Sequence, residues 1–413
     1  QRQMCIRDST CTVLVLVLYL YLYCTCTCTV LVLYLYLYLY CTCTVLVLVV
    51  VSNLGASDPN SIIVSIFLAI ILFGFPSETK AVDLSGKRVE IIVPAGAGGG
   101  LTRNARAMAK NFSKHIPGNP TVIVKNIVGG GGQKGINFVY NKGKKDGTQI
   151  LFGPLNFVGL NIGLPGIKYK AKDFHVIGMC CGTPFTTIVR KDIKGGIDSR
   201  DDIVNKSGFV TGGRIPGGNL GLFSRMPFAM LGIKNRFVVG YKNQPKLKAA
   251  MLQNEIQALT TGNPGYFAFY VNDTLKKGDG IALFTHPTLD QKTGEPRPVT
   301  HMTGVPTFLD YYAKVKGGKP SGDAWEAYKW KATYDQWTMS MYLPPGTPKN
   351  VVGAMRKAWK DNWSDPATQA LYKKGNKTLP ILLQGADADA ILNNFKSMPE
   401  SAKKYFAVET GIA

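Results

Sequence analysis

The chain has 413 residues, of which 46% are apolar and 18% charged, with a formal charge of +22; this is enough for two domains with cores of their own. The charge favours encounter with anions, but the lysines are scattered as solvated surface and the aromatic and basic residues form no nucleic-acid motif, which sets nucleic-acid binding aside. Seven of nine cysteines fall within the first 43 residues, five of them at alternate positions rather than at the paired spacing of a zinc site, so no metal is expected.

The stretch from Thr12 to Val50 is uncharged and built from the dipeptides Cys-Thr, Val-Leu and Tyr-Leu. An apolar run longer than about 18 residues ordinarily reads as a membrane-spanning helix. Here a different origin fits. The repeated hexanucleotide TGTACT encodes Cys-Thr in one frame, Val-Leu in the next and Tyr-Leu in the third. Met4–Ser9 also resembles translated sequencing-adaptor read-through. Residues 1–51 are therefore read as low-complexity sequence from a gene-model artefact that overwrites the true start. They carry little of the charge: three cations (Arg2, Arg7, Lys80) balance three anions (Asp8, Asp58, Glu78) in residues 1–81, so the +22 resides in 82–413.

Residues 52–81 read as a signal peptide region. Ser61–Phe75 is an apolar segment of export-signal length, short for a membrane span. Thr79 and Ala81 are small residues at −3 and −1, which places cleavage after Ala81. The mature protein is expected in the periplasm.

From Lys87 strands alternate with helices, which predicts an α/β fold around mostly parallel sheets. Strands are expected over 89–93, 121–124 and 148–152, with helices over 102–114 and 135–142. A second cycle runs through strands at 185–189, 208–211, 236–239 and 256–260, and helices at 198–205, 220–231 and 246–254. Pro348 opens a helix to about Trp363, and Asp365-Pro366 begins another. Residues 387–395 and 399–406 read as two more.

Three strand-to-helix loops are glycine-rich. In "VPAGAGGGLT" glycines let a ligand approach backbone amides, and the helix that follows presents free N–H groups and partial positive charge. Thr102 is read as its cap. The dinucleotide and Walker patterns both fail: Leu101 stands where a third glycine is wanted, and Gly129–Asn137 interposes Gln133 and lacks the hydroxyl. Gly129–Gly132 reads as a flexible turn. "TGGRIPGGN" adds Arg214, suited to a carboxylate fork, and "TTGNPGY" ends another strand. Neither a Gly-x-Ser-x-Gly elbow nor H-E-x-x-H is present. His115, His175, His286 and His301 are scattered and read as structural. Cys180 and Cys181 read as two small buried thiols, with a vicinal disulfide left open after export.

From about Gly86 onward the chain resembles the periplasmic substrate-binding receptors of tripartite tricarboxylate transporters, the Bug receptors. The resemblance rests on "VPAGAGGGLTRNARAMAK", "KHIPGNPTVIVKNIVGGGGQKGINFVYNKGKKDGTQI", "GVPTF" and "YLPPGTPKNVVGAMRKAW" in that order. It implies a two-lobed, type II-like Venus-flytrap fold with a hinge and C-terminal helices. The implied lobes are 86–185 with 309–413, and 186–308. It also implies a carboxylate held by Gly96, Gly98, Gly99, Gly100, Leu101 and Thr102 from the first loop. The second loop supplies Gly213, Arg214, Gly217, Gly218 and Asn219, the third Thr261 and Asn263, and a further loop Asn156. The chain departs from the family pattern at Ala95, Ala97 and Thr102, where an aromatic, a proline and an aspartate are usual. The expected protein is a monomer with no catalytic residue and no cofactor, which delivers a di- or tricarboxylate to membrane permease subunits. A ligand sensor for a signalling partner and an α/β enzyme acting on an anion are the alternatives.

Overall fold

The computed structural model describes residues 81–181 and 184–412, apart from the side chains of Cys181 and Asn219, together with the backbone of four strands nearer the N-terminus. The chain divides into two compact units, Gln1–Thr79 and Lys80–Ala413. In the first, β1 (Met4–Asp8) pairs antiparallel with β2 (Cys11–Val15), and β3 (Val32–Tyr40) with β4 (Cys43–Val51). Alternating β-branched and aromatic residues favour such pairing. Ser61–Phe75 lies outside the described residues. No helix among the described residues is long and apolar enough to cross a membrane.

The second unit opens with β5 (Arg88–Val93), α1 (Gly100–Phe112), β6 (Thr121–Asn126), α2 (Gln133–Lys142), β7 (Gln149–Phe152), α3 (Phe157–Ile162) and β8 (His175–Cys181). The chain then continues through β9 (Phe185–Arg190), β10 (Phe209–Gly212), α4 (Asn219–Phe223), α5 (Met226–Leu231), β11 (Asn235–Val238), α6 (Gln244–Leu252), β12 (Ala258–Gly262) and β13 (Gly280–His286). It returns by α7 (Phe308–Lys316) and α8 (Asp323–Tyr334) to β14 (Met341–Leu343). It ends with α9 (Lys349–Ser364), α10 (Pro366–Asn376), β15 (Ile381–Leu383), α11 (Ala386–Asn394) and α12 (Glu400–Thr410).

Two sheets result. The first has the order β15-β8-β14-β7-β5-β6, the second β11-β10-β12-β9-β13. Both are mixed rather than mostly parallel. β5 pairs parallel with β6 and β7, and β10 with β11 and β12. β14 comes from the last quarter of the chain, inserts between β7 and β8, and runs antiparallel to both. β9 runs antiparallel to β12 and β13.

The helix expected over 220–231 is two helices. Pro227 sits in the first turn of α5, where its missing N–H costs nothing, but it could not continue a helix from α4. On the first sheet, α9 buries Val351, Val352, Met355, Ala358, Trp359 and Trp363, one apolar face at helical spacing. Trp359 lies against Gly178 of β8, where an added Cβ would come within 2.5 Å of the indole. On the second sheet, His286 is fully buried beside the rings of Phe223, Phe284, Phe308 and Tyr328. α7 and α8 follow β13, and Phe308 and Tyr311 of α7 pack against Phe284.

Cys180 is buried and disulfide-bonded rather than a free thiol. It lies near the C-terminal end of β8, opposite Leu382 of β15, and packs in the core of the first sheet.

Candidate functional site

Loops leaving the C-terminal ends of six strands, β5, β6 and β7 in one sheet and β10, β11 and β12 in the other, line a single cavity of ≈ 220 Å³. Ligands of α/β proteins favour this end, where strands hand over to helix N-termini. The first turns of α1, α2 and α6 hold no acidic residue. Their partial positive charges therefore face the cavity without internal compensation.

On the first-sheet side the site is mostly backbone. Gly96, Gly99, Gly100 and Leu101 line the cavity. The loop is pinned from behind: Thr102 Oγ1 donates to Gly96 O at 3.0 Å, and Asn126 Nδ2 donates to Ala95 O at 2.6 Å and to Thr102 Oγ1 at 2.8 Å. Thr102 thus does not cap α1, whose cap position is Gly99. It is wholly buried and fixes the shape of the loop instead. Gly98 faces solvent. Asn156 lines the cavity and caps α3, its Oδ1 accepting from Gly159 N at 2.8 Å.

Gly129–Gly132 is a shaped element rather than a flexible turn. All four residues have positive φ, from 52° to 138°, which L side chains rarely adopt. Gly131 and Gly132 line the cavity, and an added Cβ on Gly131 would meet Ile215 of the opposite side at 2.3 Å.

On the second-sheet side the site is side chains. Arg214 lines the cavity, and burial alone shifts its guanidinium, downward from the usual range; no carboxylate among the described residues offsets that burial. The exposed Lys242 lines it as well, and among the described residues no Asp or Glu does. Gly217, Gly218 and Thr261 also line it. Gly213 does not: it is a glycine because Phe237 would lie 2.5 Å from its Cβ. Asn263 is wholly buried and turned away, its Nδ2 2.6 Å from His301 Nε2 and 3.3 Å from Asn376 O. The side chain of Asn219 lies outside the described residues, although its backbone begins α4.

The sequence reading missed two contributors. Gln133, after the four glycines, and Lys242-Asn243-Gln244, after β11, all line the cavity. The available signal was "YKNQPK", an N-cap asparagine two residues before a proline, which marks a third helix start in that lobe. Asn243 caps α6 through Lys246 N at 3.1 Å.

None of the histidines lines the cavity. His115 Nε2 meets Asp365 Oδ2 at 3.0 Å, joining the ends of α1 and α9. Burial lowers the pKa of His175, His286 and His301, that of His286 to about 3.

Two sheets, two chain crossings and a cavity between strand ends define the class: a two-lobed periplasmic binding protein fold. Among solved structures of this fold, the periplasmic binding protein BugD aligns with a TM-score of 0.58 at 19% identity, covering 78% of this chain and 97% of that one. An R. palustris protein with adipate aligns with a TM-score of 0.59 at 16% identity, covering 79% and 98%. In sequence, the chain is 32% identical over 132 residues to a UPF0065 protein from the TAR-I ttuE-ttuC' intergenic region of Agrobacterium vitis. That match spans 31% of this chain and 37% of the relative. No family model matches the chain.

Proposed function

We propose that the protein is a Bug-type receptor that captures a small organic di- or tricarboxylate and delivers it to a tripartite tricarboxylate-type permease. The observation that carries this reading is the charge of the cavity. Arg214 and Lys242 line it, three helix N-termini face it, and no acid among the described residues does. A carboxylate supplies the missing negative charge. The neighbour of the same fold with adipate supports the same ligand class. Export fits this role, with Ser61–Phe75 as the signal, cleavage after Ala81, and residues 86–185 with 309–413 and 186–308 as the two lobes. The disulfide at Cys180 suits an oxidising compartment. Among the described residues the scattered histidines and the cavity lining offer no acid–base pair, which favours binding over catalysis.

The test is a thermal-shift screen of di- and tricarboxylates and aromatic acids. A true ligand in saturating excess stabilises by roughly 2–4 kcal/mol. Gly99→Asp puts an anion among the amides and should abolish the shift. No response to any carboxylate, or full affinity in Gly99→Asp, contradicts the reading.

A further inference from the structure

Two arginines serve the second glycine loop in different ways. Arg214 lines the cavity, whereas Arg225 does not. Arg225 stands at the break between α4 and α5 that Pro227 imposes, and its side chain reaches back to the loop. Its Nη2 donates to Pro216 O at 2.8 Å and its Nε to Gly221 O at 3.2 Å, so one guanidinium braces both ends of the stretch that holds Gly217 and Gly218. Nη1 donates to Glu409 O at 3.1 Å and meets Glu409 Oε2 at 2.5 Å. The guanidinium also lies 4.4 Å from the ring of Phe237, and a Cβ added to Gly221 would come within 2.9 Å of that ring. A loop of glycines has little stiffness of its own, so its shape is set by what holds it. The Arg225 and Glu409 side chains are only 14% and 22% exposed, which distinguishes this pair from a surface contact screened by solvent.

Glu409 belongs to α12, and the next residue touches the loop directly. Gly217 lines the cavity, and a Cβ added to it would lie 3.0 Å from Thr410 Cγ2. One glycine therefore separates the cavity from α12. The helix is anchored on other elements too. Phe406 is buried beside the Trp330 ring of α8, and α12 also packs on α3, whose cap Asn156 lines the cavity from the first-sheet side. We propose that Arg225 and α12 form a clasp that holds the second glycine loop in its ligand-receiving shape, so that docking of α12 and filling of the cavity are coupled. Arg225 is a positioning residue in this scheme and touches no ligand. The inference rests on the carboxylate reading above and adds to it what controls that site.

The experiment combines isothermal titration with adipate and citrate and amide hydrogen exchange, on the wild type, Glu409→Lys and Arg225→Met. Glu409→Lys sets a like charge against Arg225 and should weaken binding about fivefold or more, the scale of a coupling between sites. In the free protein, amides of residues 217–223 should exchange about tenfold faster in the variants, while those of β5, β6 and β7 keep their wild-type rates. Coupling is reciprocal, so ligand should slow exchange over 407–411 in the wild type and not in Glu409→Lys. If Arg225→Met does not fold, Glu409→Lys decides alone. Affinity within twofold of wild type, or unchanged exchange over 217–223, overturns the clasp and leaves carboxylate capture standing. Equal acceleration in β5, β6 and β7 overturns it as well, since the pair would then support the fold at large. If the wild type binds neither acid, exchange in the free protein still decides the clasp, and the wider carboxylate screen decides the receptor reading.

Discussion

The two sides of the cavity are made differently. The first-sheet side presents mostly main chain, at Gly96, Gly99, Gly100, Gly131 and Gly132, shaped from behind by Thr102 and Asn126. The second-sheet side presents side chains: Arg214, Lys242, Asn243 and Gln244. Backbone amides recognise an anion whatever it is attached to, whereas side chains can be exchanged without reshaping a loop. The contrast separates affinity for a carboxylate as such from choice among carboxylates.

The largest effect expected from this contrast falls on the cation. Arg214→Met should weaken carboxylate binding by about 100-fold, the scale of a hydrogen-bonded charge pair, and isothermal titration would read it. A loss below threefold would mean that the main-chain side binds the anion unaided.

The cores differ in the same sense, and stability measurements can sharpen that. The first-sheet core depends on absence of a side chain, Gly178 beneath Trp359. Gly178→Ala should cost about 1–3 kcal/mol in urea unfolding through overpacking, with ligand affinity unchanged. A drop in affinity of similar size would show that the cavity is coupled to this packing.

On the main-chain side, adding a side chain should do what removing one does opposite. Gly131→Val meets both a positive φ of 65° and Ile215. It should weaken binding by about tenfold or more, since strain of this kind costs roughly 1–3 kcal/mol. Pairing it with Ile215→Ala separates the two causes: recovery of affinity assigns the loss to the contact across the cavity, and no recovery assigns it to the backbone.

The smallest effect concerns pH and belongs to the second-sheet core. His286 Nε2 lies 2.7 Å from Thr187 Oγ1, and Nδ1 3.1 Å from the Tyr328 hydroxyl. Burial holds this imidazole at about 3 against an ordinary 6.5. Between those values the unfolded chain takes up a proton that the folded protein refuses. Stability from this group is therefore complete above about pH 6.5 and declines as pH falls toward 3, by at most about 1.4 kcal/mol per pH unit. Urea midpoints at pH 7 and 5 should fall less in His286→Gln than in the wild type. Equal falls would place the acid sensitivity elsewhere.

Much of this architecture is legible along the chain. Strands at 88–93, 121–126, 149–152 and 185–190, and the helices opened by Pro348 and Asp365-Pro366, follow from local apolar period and turn chemistry. β14 and β15 are three-residue strands without a pattern of their own, and only their sheet neighbours make them strands. α8 escaped because it buries Ala327, Tyr328, Trp330, Lys331 and Ala332 on several faces, which leaves no stripe to recognise. Within the site, Gly96, Gly99, Gly100, Leu101, Asn156, Arg214, Gly217, Gly218 and Thr261 could be picked from glycine-loop chemistry and family resemblance. Thr102 and Asn263 belong to the same loops, but their side chains turn to hold the loops rather than to face the cavity.

Local rules therefore settle which segments end as anion-friendly loops, because a glycine run before a helix start is a property of a few neighbouring residues. They cannot settle which side chains from the two sheets meet. Gln133 and Gln244 are 111 positions apart in the numbering, and each is unremarkable in its own segment. Their joint place in the lining of one cavity, and the turn of Asn263 away from it, depend on how two sheets pack, which no short stretch encodes.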